Sequence, residues 1–407
     1  MVDSIQPVLT TSLVFLFWSS LAVLCYNYAG YPILVFLAAK LFPADERRSA
    51  TSSQEHLPRV TVLIVAYNAE HHIQERIRNV LACDYPHDRI EVLVASDGST
   101  DATVSLVDAL DHPHVRAVAF SERRGKTRTL VDAVQQVTSD VILFTDATNQ
   151  FEQNSIRHLV RHFADPQIGI ATGKVSLIDE RGKPVESVYW KIEMMIRRSE
   201  MRMGIMLGAN GPIYAIRRDL FVEPKGPVIN DDFVLPMLAH LRHGCGIIHD
   251  ETARAYMLSS GGLASEFQRR CRIGAGAFQS LPVLSEMLRW RHAKHAIAFT
   301  SHKLLRWIGP FLLVVLLVTS LSLSANPVYR LFFWTQAGAY LLAVVGLFAP
   351  NRGHIAGLAR IASSFLILNV ALLAGFFRWV GKPHNVVWNP TVRPVLGKTS
   401  MVQRELR

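Results

Sequence analysis

The chain has 407 residues, room for two or three domains, with a formal net charge of +10 and 50% hydrophobic residues. A mean hydropathy of +0.20 conceals a segmented layout in which the apolar excess sits at the two ends. The basic balance does not make a nucleic-acid binder, because no recognisable motif of that class accompanies the cations. The four cysteines, Cys25, Cys83, Cys245 and Cys271, lack CxxC spacing, and the 16 histidines include no HExxH, which leaves no zinc signature.

In chain order, Val8 to Phe42 carries Lys40 as its single ionised side chain, and about 20 apolar residues suffice to cross a bilayer core. No Lys or Arg precedes this run and it outlasts a signal-peptide core, so it reads as a retained membrane helix. Arg47 and Arg48 follow it, then a short polar linker, Ser49 to Gln54. Because cations flank the cytoplasmic ends of membrane helices, these arginines, with Lys303 and Arg306 before the next apolar run, place the middle region in the cytoplasm.

Between about Leu57 and Arg291 strand and helix patterns alternate. Val60 to Ala66, Ile90 to Ala95, Val115 to Phe120 and Val141 to Phe144 are predicted strands. Glu70 to Cys83, Asp101 to Leu110 and Lys126 to Val137 have helical spacing, the first with Ile73, Ile77, Val80 and Leu81 on one face. Alternation of this kind means βαβ units and a mostly parallel sheet flanked by helices. Ligands in such folds bind at the carboxyl ends of the strands, where this chain delivers Asp97 and Asp146. In the loop Asp97-Gly98-Ser99-Thr100-Asp101, Gly98 permits a tight turn, Ser99 or Thr100 can cap the next helix, and Asp97 projects toward a ribose or base. Taken alone, such a loop is as often plain capping.

Further motifs follow: Arg124-Gly125-Lys126, then Asp146-Ala147-Thr148-Asn149, then Leu207-Gly208-Ala209-Asn210-Gly211-Pro212-Ile213-Tyr214. Asp231-Asp232 comes next, a doublet that helix dipoles also favour at an N-terminus. Last is Phe267-Gln268-Arg269-Arg270-Cys271-Arg272-Ile273-Gly274-Ala275-Gly276. In this combination the chain resembles the family 2 glycosyltransferases of the GT-A fold, particularly the membrane-bound branch similar to cellulose and hyaluronan synthases, over roughly residues 20 to 310.

The resemblance implies an α/β fold, a GT-A nucleotide-diphospho-sugar transferase domain joined to transmembrane α-helices. It implies Ala66, Tyr67 and Asp97 around the nucleoside of a nucleoside-diphosphate sugar, with UDP the expected nucleotide. Lys126 is then expected near the diphosphate, where its cation offsets charge. Gly208 and Asn210, in the glycine loop, are expected beside the sugar and acceptor. The family's Asp-x-Asp metal motif is here Asp146-Ala147-Thr148, which leaves one carboxylate, with Thr148 as a neutral oxygen, for Mg2+ or Mn2+. Asp231 and Asp232 stand where the family has an acidic pair whose second member is the base, and neighbouring carboxylates raise each other's pKa.

Aligning the Gln-x-x-Arg-Trp motif puts Arg272 on the leaving diphosphate, Arg269 where Gln is usual and Ile273 where Trp is usual. The missing indole argues against a processive polymerase.

From Ala264 to Trp307, eight Lys or Arg face only Glu266 and Glu286, interleaved with apolar residues, as in interfacial helices on anionic membrane lipid. Ile308 to Leu323, Leu331 to Phe348 and Ile355 to Val380 then give further spans. Four spans would put the basic tail after Lys382 outside, against the charge rule, so three to four are expected.

The expected divisions are 1–45, a membrane helix; 46–291, the cytoplasmic catalytic domain; 292–382, interfacial segment and membrane helices; and 383–407, a tail. The expected protein is an integral protein of the bacterial plasma membrane that moves a sugar to a lipid-linked or saccharide acceptor. A processive synthase is the alternative of the same chemistry. A non-catalytic nucleotide-binding scaffold or transporter is the alternative of another class, disfavoured because the spans hold few ionisable residues.

Overall fold

The computed structural model describes residues 2–41, 57–179, 182–185, 188–226, 228–259, 262–348 and 354–381. The Arg47–Arg48 pair, the linker 49–54 and the basic tail lie outside the described residues.

Among the described residues eight strands form one sheet in the order β3-β2-β1-β4-β7-β6-β8-β5. They are β1 Val60–Ala66, β2 Ile90–Asp97, β3 Val115–Phe120, β4 Val141–Asp146, β5 Asn149–Phe151, β6 Ile168–Ile178, β7 Tyr214–Arg217 and β8 Gly246–Leu258. Four neighbouring pairs are parallel and three antiparallel, so the sheet is mixed rather than mostly parallel. Its first half, β3-β2-β1-β4, is the parallel unit the alternating pattern predicts. The strands added by residues 149–258 bring the antiparallel pairings, because β7 enters between β4 and β6 running the other way.

All seven residues of β1 are buried, as strands covered on both faces must be. Val62 and Ile64 pack with Ile73, Ile77 and Val80 in one core, while Leu63 and Val65 pack with Leu130, Ala133 and Val134 in another. The period of two thus sends alternate side chains into separate layers. Truncating Ile77 to Ala would cost about 2–5 kcal/mol on the usual cavity scale.

Among the described residues four helical segments are long and apolar enough to cross a membrane: Val8–Leu41, Trp290–Ser322, Pro327–Gly346 and Ala356–Gly381. The first contains a π-helical turn, Tyr26–Gly30, and the second another, Phe299–Leu304. The two turns meet: Tyr26 Oη lies 2.8 Å from Ser301 Oγ, and Asn27 Nδ2 donates to the Leu305 carbonyl at 3.3 Å. A π-turn widens the helix and re-aims polar side chains inward, which the apolar pattern of either run does not announce.

The fourth span belongs to the helix His354–Gly381, which crosses the helix Leu263–Val283 where glycines remove the side chains. A Cβ on Gly375 would sit 2.7 Å from the Ala275 backbone nitrogen and 2.8 Å from the Gly274 carbonyl carbon. Small residues allow such close backbone approach. The helix that carries Arg272 is therefore held directly against a candidate membrane helix.

Candidate active site

Strand β4 ends at Asp146, and the helix Asp231–His243 begins with Asp231 and Asp232, its Asn230 standing just before it. The acids do converge. Lys126, first residue of the helix Lys126–Val134, places its Nζ 3.0 Å from Asp146 Oδ1 and 3.2 Å from Asp231 Oδ2. Burial works against the charge of Lys126, but Asp146, Asp231 and Asp232 outweigh it and hold the ammonium protonated more firmly than usual.

Asp232 is pushed up to about 6, by burial first and then by Asp231 and Asp146, against the opposing pull of Lys126 and a hydrogen bond from the backbone of Gly211. The Gly211 N–H donates to Asp232 Oδ2 at 3.2 Å, and a Cβ there would stand 3.0 Å from the same oxygen. Gly208, at φ +85°, faces Phe233, where a Cβ would meet Cδ2 at 2.9 Å. Both glycines thus let the loop lie against the start of the acidic helix. Burial weakens the Arg272 proton affinity and Arg269 adds to this, while Asp146, Asp231 and Asp232 pull the other way, so Arg272 is within electrostatic reach of all three acids.

Other expected residues stand differently. Asp97 is fully buried, and its carboxylate accepts from the Arg124 N–H at 2.7 Å, the Gly125 N–H at 3.1 Å and Thr129 Oγ1 at 2.8 Å. It is turned into the chain rather than projecting toward a ribose, because the turn entering the Lys126 helix leaves backbone donors that it satisfies. Asn210 has both ends of its amide taken by protein: Oδ1 by Arg197 at 2.8 Å and Nδ2 by the Gly173 carbonyl at 2.6 Å. Its backbone N–H also donates to Thr172 Oγ1, so it fixes the glycine loop to β6.

Arg269 is paired with Glu266 at 2.9 Å. Thr148 lines a small hollow with His72, Glu75 and Arg76, whereas the Asp146 carboxylate is turned to Lys126. It is the Asp231 carboxylate that joins Asp146 on the Lys126 ammonium. Among the described residues no three His, Cys, Asp or Glu side chains form a metal cage by themselves.

The sequence reading passed over three residues. Arg123 lays its guanidinium 3.7 Å from the centroid of the Tyr67 ring, beside wholly buried Ala66, so cation–π contact covers one face of the expected nucleoside site. Its signal was adjacency to Arg124-Gly125-Lys126. Arg76 is fully buried, donates to Thr145 Oγ1 at 2.9 Å and lies 4.0 Å from the Phe151 ring centroid, behind Asp146. Burial lowers its pKa to about 10 while Asp146 opposes the drop. Tyr214 stacks on Phe144 at 4.8 Å, and its buried hydroxyl has no hydrogen-bond partner among the described residues. Burial and the three nearby aspartates keep that phenol protonated.

Several cations of the basic stretch 264–307 have acidic partners. Arg270 pairs with Glu266, Arg291 with Glu286, and both Lys303 and Arg306 with Glu193. Glu193 comes from the helix Val188–Arg202, too far along the chain for local charge counting to find. Trp290 remains 89% exposed at the start of its span, where an indole suits an interface.

Residues 61–223 match the family model described as glycosyl transferase family 2. Among curated proteins the chain is similar to the poly-beta-1,6-N-acetyl-D-glucosamine synthase of Staphylococcus aureus (strain COL), at 25% identity over 235 residues, 56% of each chain. The synthase of the same name from Staphylococcus epidermidis is 22% identical over 276 residues, 66% of each. The chain spans about half the length of the curated relatives it matches first, 56%. Among solved structures it is similar to mannosyltransferase PcManGT from Pyrobaculum calidifontis, solved in complex with GDP-Man and Mn2+. The TM-score is 0.66 at 21% identity, covering 90% of this chain and 99% of that one. This likeness shows the GT-A fold.

Proposed function

We propose that this chain, whose residues 61–223 belong to glycosyl transferase family 2, is a membrane-bound inverting glycosyltransferase. Its donor is a nucleoside-diphosphate sugar, with UDP the expected nucleotide, and its acceptor a lipid-linked or saccharide hydroxyl at the membrane. The observation that carries the reading is the meeting of Asp146, Asp231 and Asp232 around Lys126, with Asp232 raised to about 6. The catalytic unit is taken as 46–291, cytoplasmic, with helices on both sides of it in sequence.

Asp232 accepts the proton of the acceptor hydroxyl as that oxygen bonds to the anomeric carbon, and the bond from that carbon to the diphosphate breaks with its electrons going to the leaving nucleoside diphosphate. Attack from the face opposite the leaving group inverts the centre. A base near pKa 6 is ionised at neutral pH yet basic enough to share a proton in the transition state. Arg272 and Lys126 hold positive charge where the diphosphate leaves. Tyr67, under Arg123, is the flat surface offered to the base. Asp97 acts indirectly, by holding the Arg124-Gly125 turn that aims Lys126.

Mg2+ or Mn2+ fits the Asp146–Asp231 pair, since both carboxylates already converge on one cation and these ions share oxygen ligands with phosphates. When bound, such an ion supplies positive charge against the diphosphate.

The test is a panel of UDP- and GDP-sugars with membrane lipid extract, followed by mass analysis of products. Turnover of one donor that is lost on chelation and restored by Mn2+ or Mg2+ is the expected result. A chain that turns over no donor is instead the non-catalytic nucleotide-binding scaffold or transporter. The names of the staphylococcal relatives favour a second reading, a processive synthase. A product ladder of many sugars, in place of a single addition, selects it.

A further inference from the structure

A cavity of about 620 Å³ lies away from the acidic cluster, walled by three of the four candidate membrane spans and the helix Val188–Arg202. Tyr28 and Pro32 come from the first span, Arg306 from the second, and residues 357–372 from the fourth, while Ile192 and Glu193 close it from the catalytic side. Its volume falls within the usual range for small-ligand sites, roughly 300–1,000 Å³.

The wall is chemically two-sided. Ile361, Phe365, Leu368 and Leu372 recur at helical spacing and form an apolar stripe along the fourth span. Ile361 is 52% exposed, so the stripe reaches the outer surface of the helices, where acyl chains would lie. Two arginines, Arg306 and Arg360, also line it. Among the described lining residues the carboxylate is Glu193, which is engaged by Arg306 at 2.7 Å, Lys303 at 3.3 Å, Arg197 at 3.2 Å and His302 at 3.1 Å. Arg306, Lys303 and Arg197 together outnumber it, so among the described residues this side of the cavity is positive.

An arginine within an apolar span marks a functional site by default. A field of this sign, beside an apolar stripe open to the bilayer, complements one kind of molecule: an anion attached to a hydrocarbon chain. We propose that this cavity binds a phosphate-bearing lipid of the bilayer, its phosphate on Arg360 and Arg306 and its chain along Ile361, Phe365, Leu368 and Leu372. Guanidinium groups suit this role because they grip phosphate oxygens in pairs. The site is independent of which sugar the catalytic domain transfers. It is nonetheless tied to that domain, since Glu193 in its wall bonds Arg197, and Arg197 bonds Asn210 of the glycine loop.

The test uses the full chain purified in detergent and a fluorescent short-chain phosphatidic acid, with diacylglycerol of the same chains and inorganic phosphate as competitors. Phosphatidic acid is expected to bind at least about tenfold tighter than diacylglycerol, the worth of one hydrogen bond to a charged group. Inorganic phosphate at the same concentration is expected not to displace it. Arg360→Gln should weaken binding by about the same factor. Gly357→Phe should abolish it, because a Cβ at this cavity-lining position meets no atom within 4 Å and the ring has the space to fill.

Nucleotide binding, read separately by calorimetry with UDP, should be unchanged in both variants and reports that they are folded. Equal binding of diacylglycerol, displacement by free phosphate, or wild-type affinity in both variants overturns the proposal. Loss of UDP binding by the unmodified chain would sink the catalytic reading and leave this one standing.

Discussion

Asp232 gathers the forces that matter at the level of single residues. It is half-buried beside Asp231, tempered by Lys126 and the Gly211 N–H, and its proton affinity rises to about 6. The active form is the carboxylate, so kcat is expected to fall as pH drops below about 6 and to level off above it. A pH–rate profile without that acid limb would remove Asp232 from the role. Asp232→Asn should lower kcat by about 10²- to 10⁴-fold, the usual worth of a positioned base, while UDP affinity is retained. The doublet itself is visible in the sequence, and so is Lys126. That Lys126 bridges Asp146 and Asp231 is not, because the three residues meet only when β4 ends and two helices begin at the same edge of the sheet. Asp97 shows the reverse case: its motif is plain, yet its carboxylate answers the backbone donors of residues 124 and 125, which spacing alone does not reveal.

At the level of elements, the parallel half of the sheet follows from hydrophobic period, since its strands are buried runs separated by amphipathic helices. The short β5 and β7, three and four residues long, carry too little pattern to register and are defined by their neighbours. The helix Leu263–Val283 depends on a contact the sequence only hints at, Gly274 against Gly375. Gly375→Val is expected to push the two helices apart, cost about 1–3 kcal/mol as overpacking does, and reduce turnover by displacing Arg272. Thermal unfolding in detergent and donor turnover measure the two effects; full activity with an unchanged Tm would show that this crossing does not position Arg272. Gly98, at φ +66°, has the Arg123 backbone nitrogen 2.7 Å from where a Cβ would stand. Gly98→Ala should therefore lower stability by at least about 1 kcal/mol through backbone strain alone.

For the whole molecule, Glu193 joins the catalytic domain to the candidate membrane helices. His302, buried, lies 3.1 Å from Glu193 and 2.9 Å from Glu200, and Tyr31 Oη donates to Glu200 at 2.7 Å. Burial alone would raise the Glu193 carboxyl, but Lys303, His302 and Arg197 outweigh it and hold it well below the usual range. A carboxylate with a depressed folded-state pKa stabilises fully above its unfolded value, about 4.3, and that stability is lost as pH falls through the folded value. Glu266, lowered to about 2 despite burial by its bonds to Arg269 and Arg270, acts in the same direction. Tm is thus expected to decline as pH is taken from about 5 toward 2, and Glu193→Ala should remove up to about 3 kcal/mol at neutral pH by stranding its partly buried cations. A neutral-pH Tm equal to that of the unmodified chain would show that the network does not join the two parts.

Composition and period were enough to separate apolar ends from an α/β centre, and the motifs were enough to carry the family resemblance, because both signals are local along the chain. Which oxygens share a cation, which arginines turn inward to Glu193 rather than outward to lipid, and where a positively lined cavity opens between helices were decided by tertiary packing. Those features join residues tens to hundreds of positions apart, and a buried charge finds its partner through the fold rather than through the sequence.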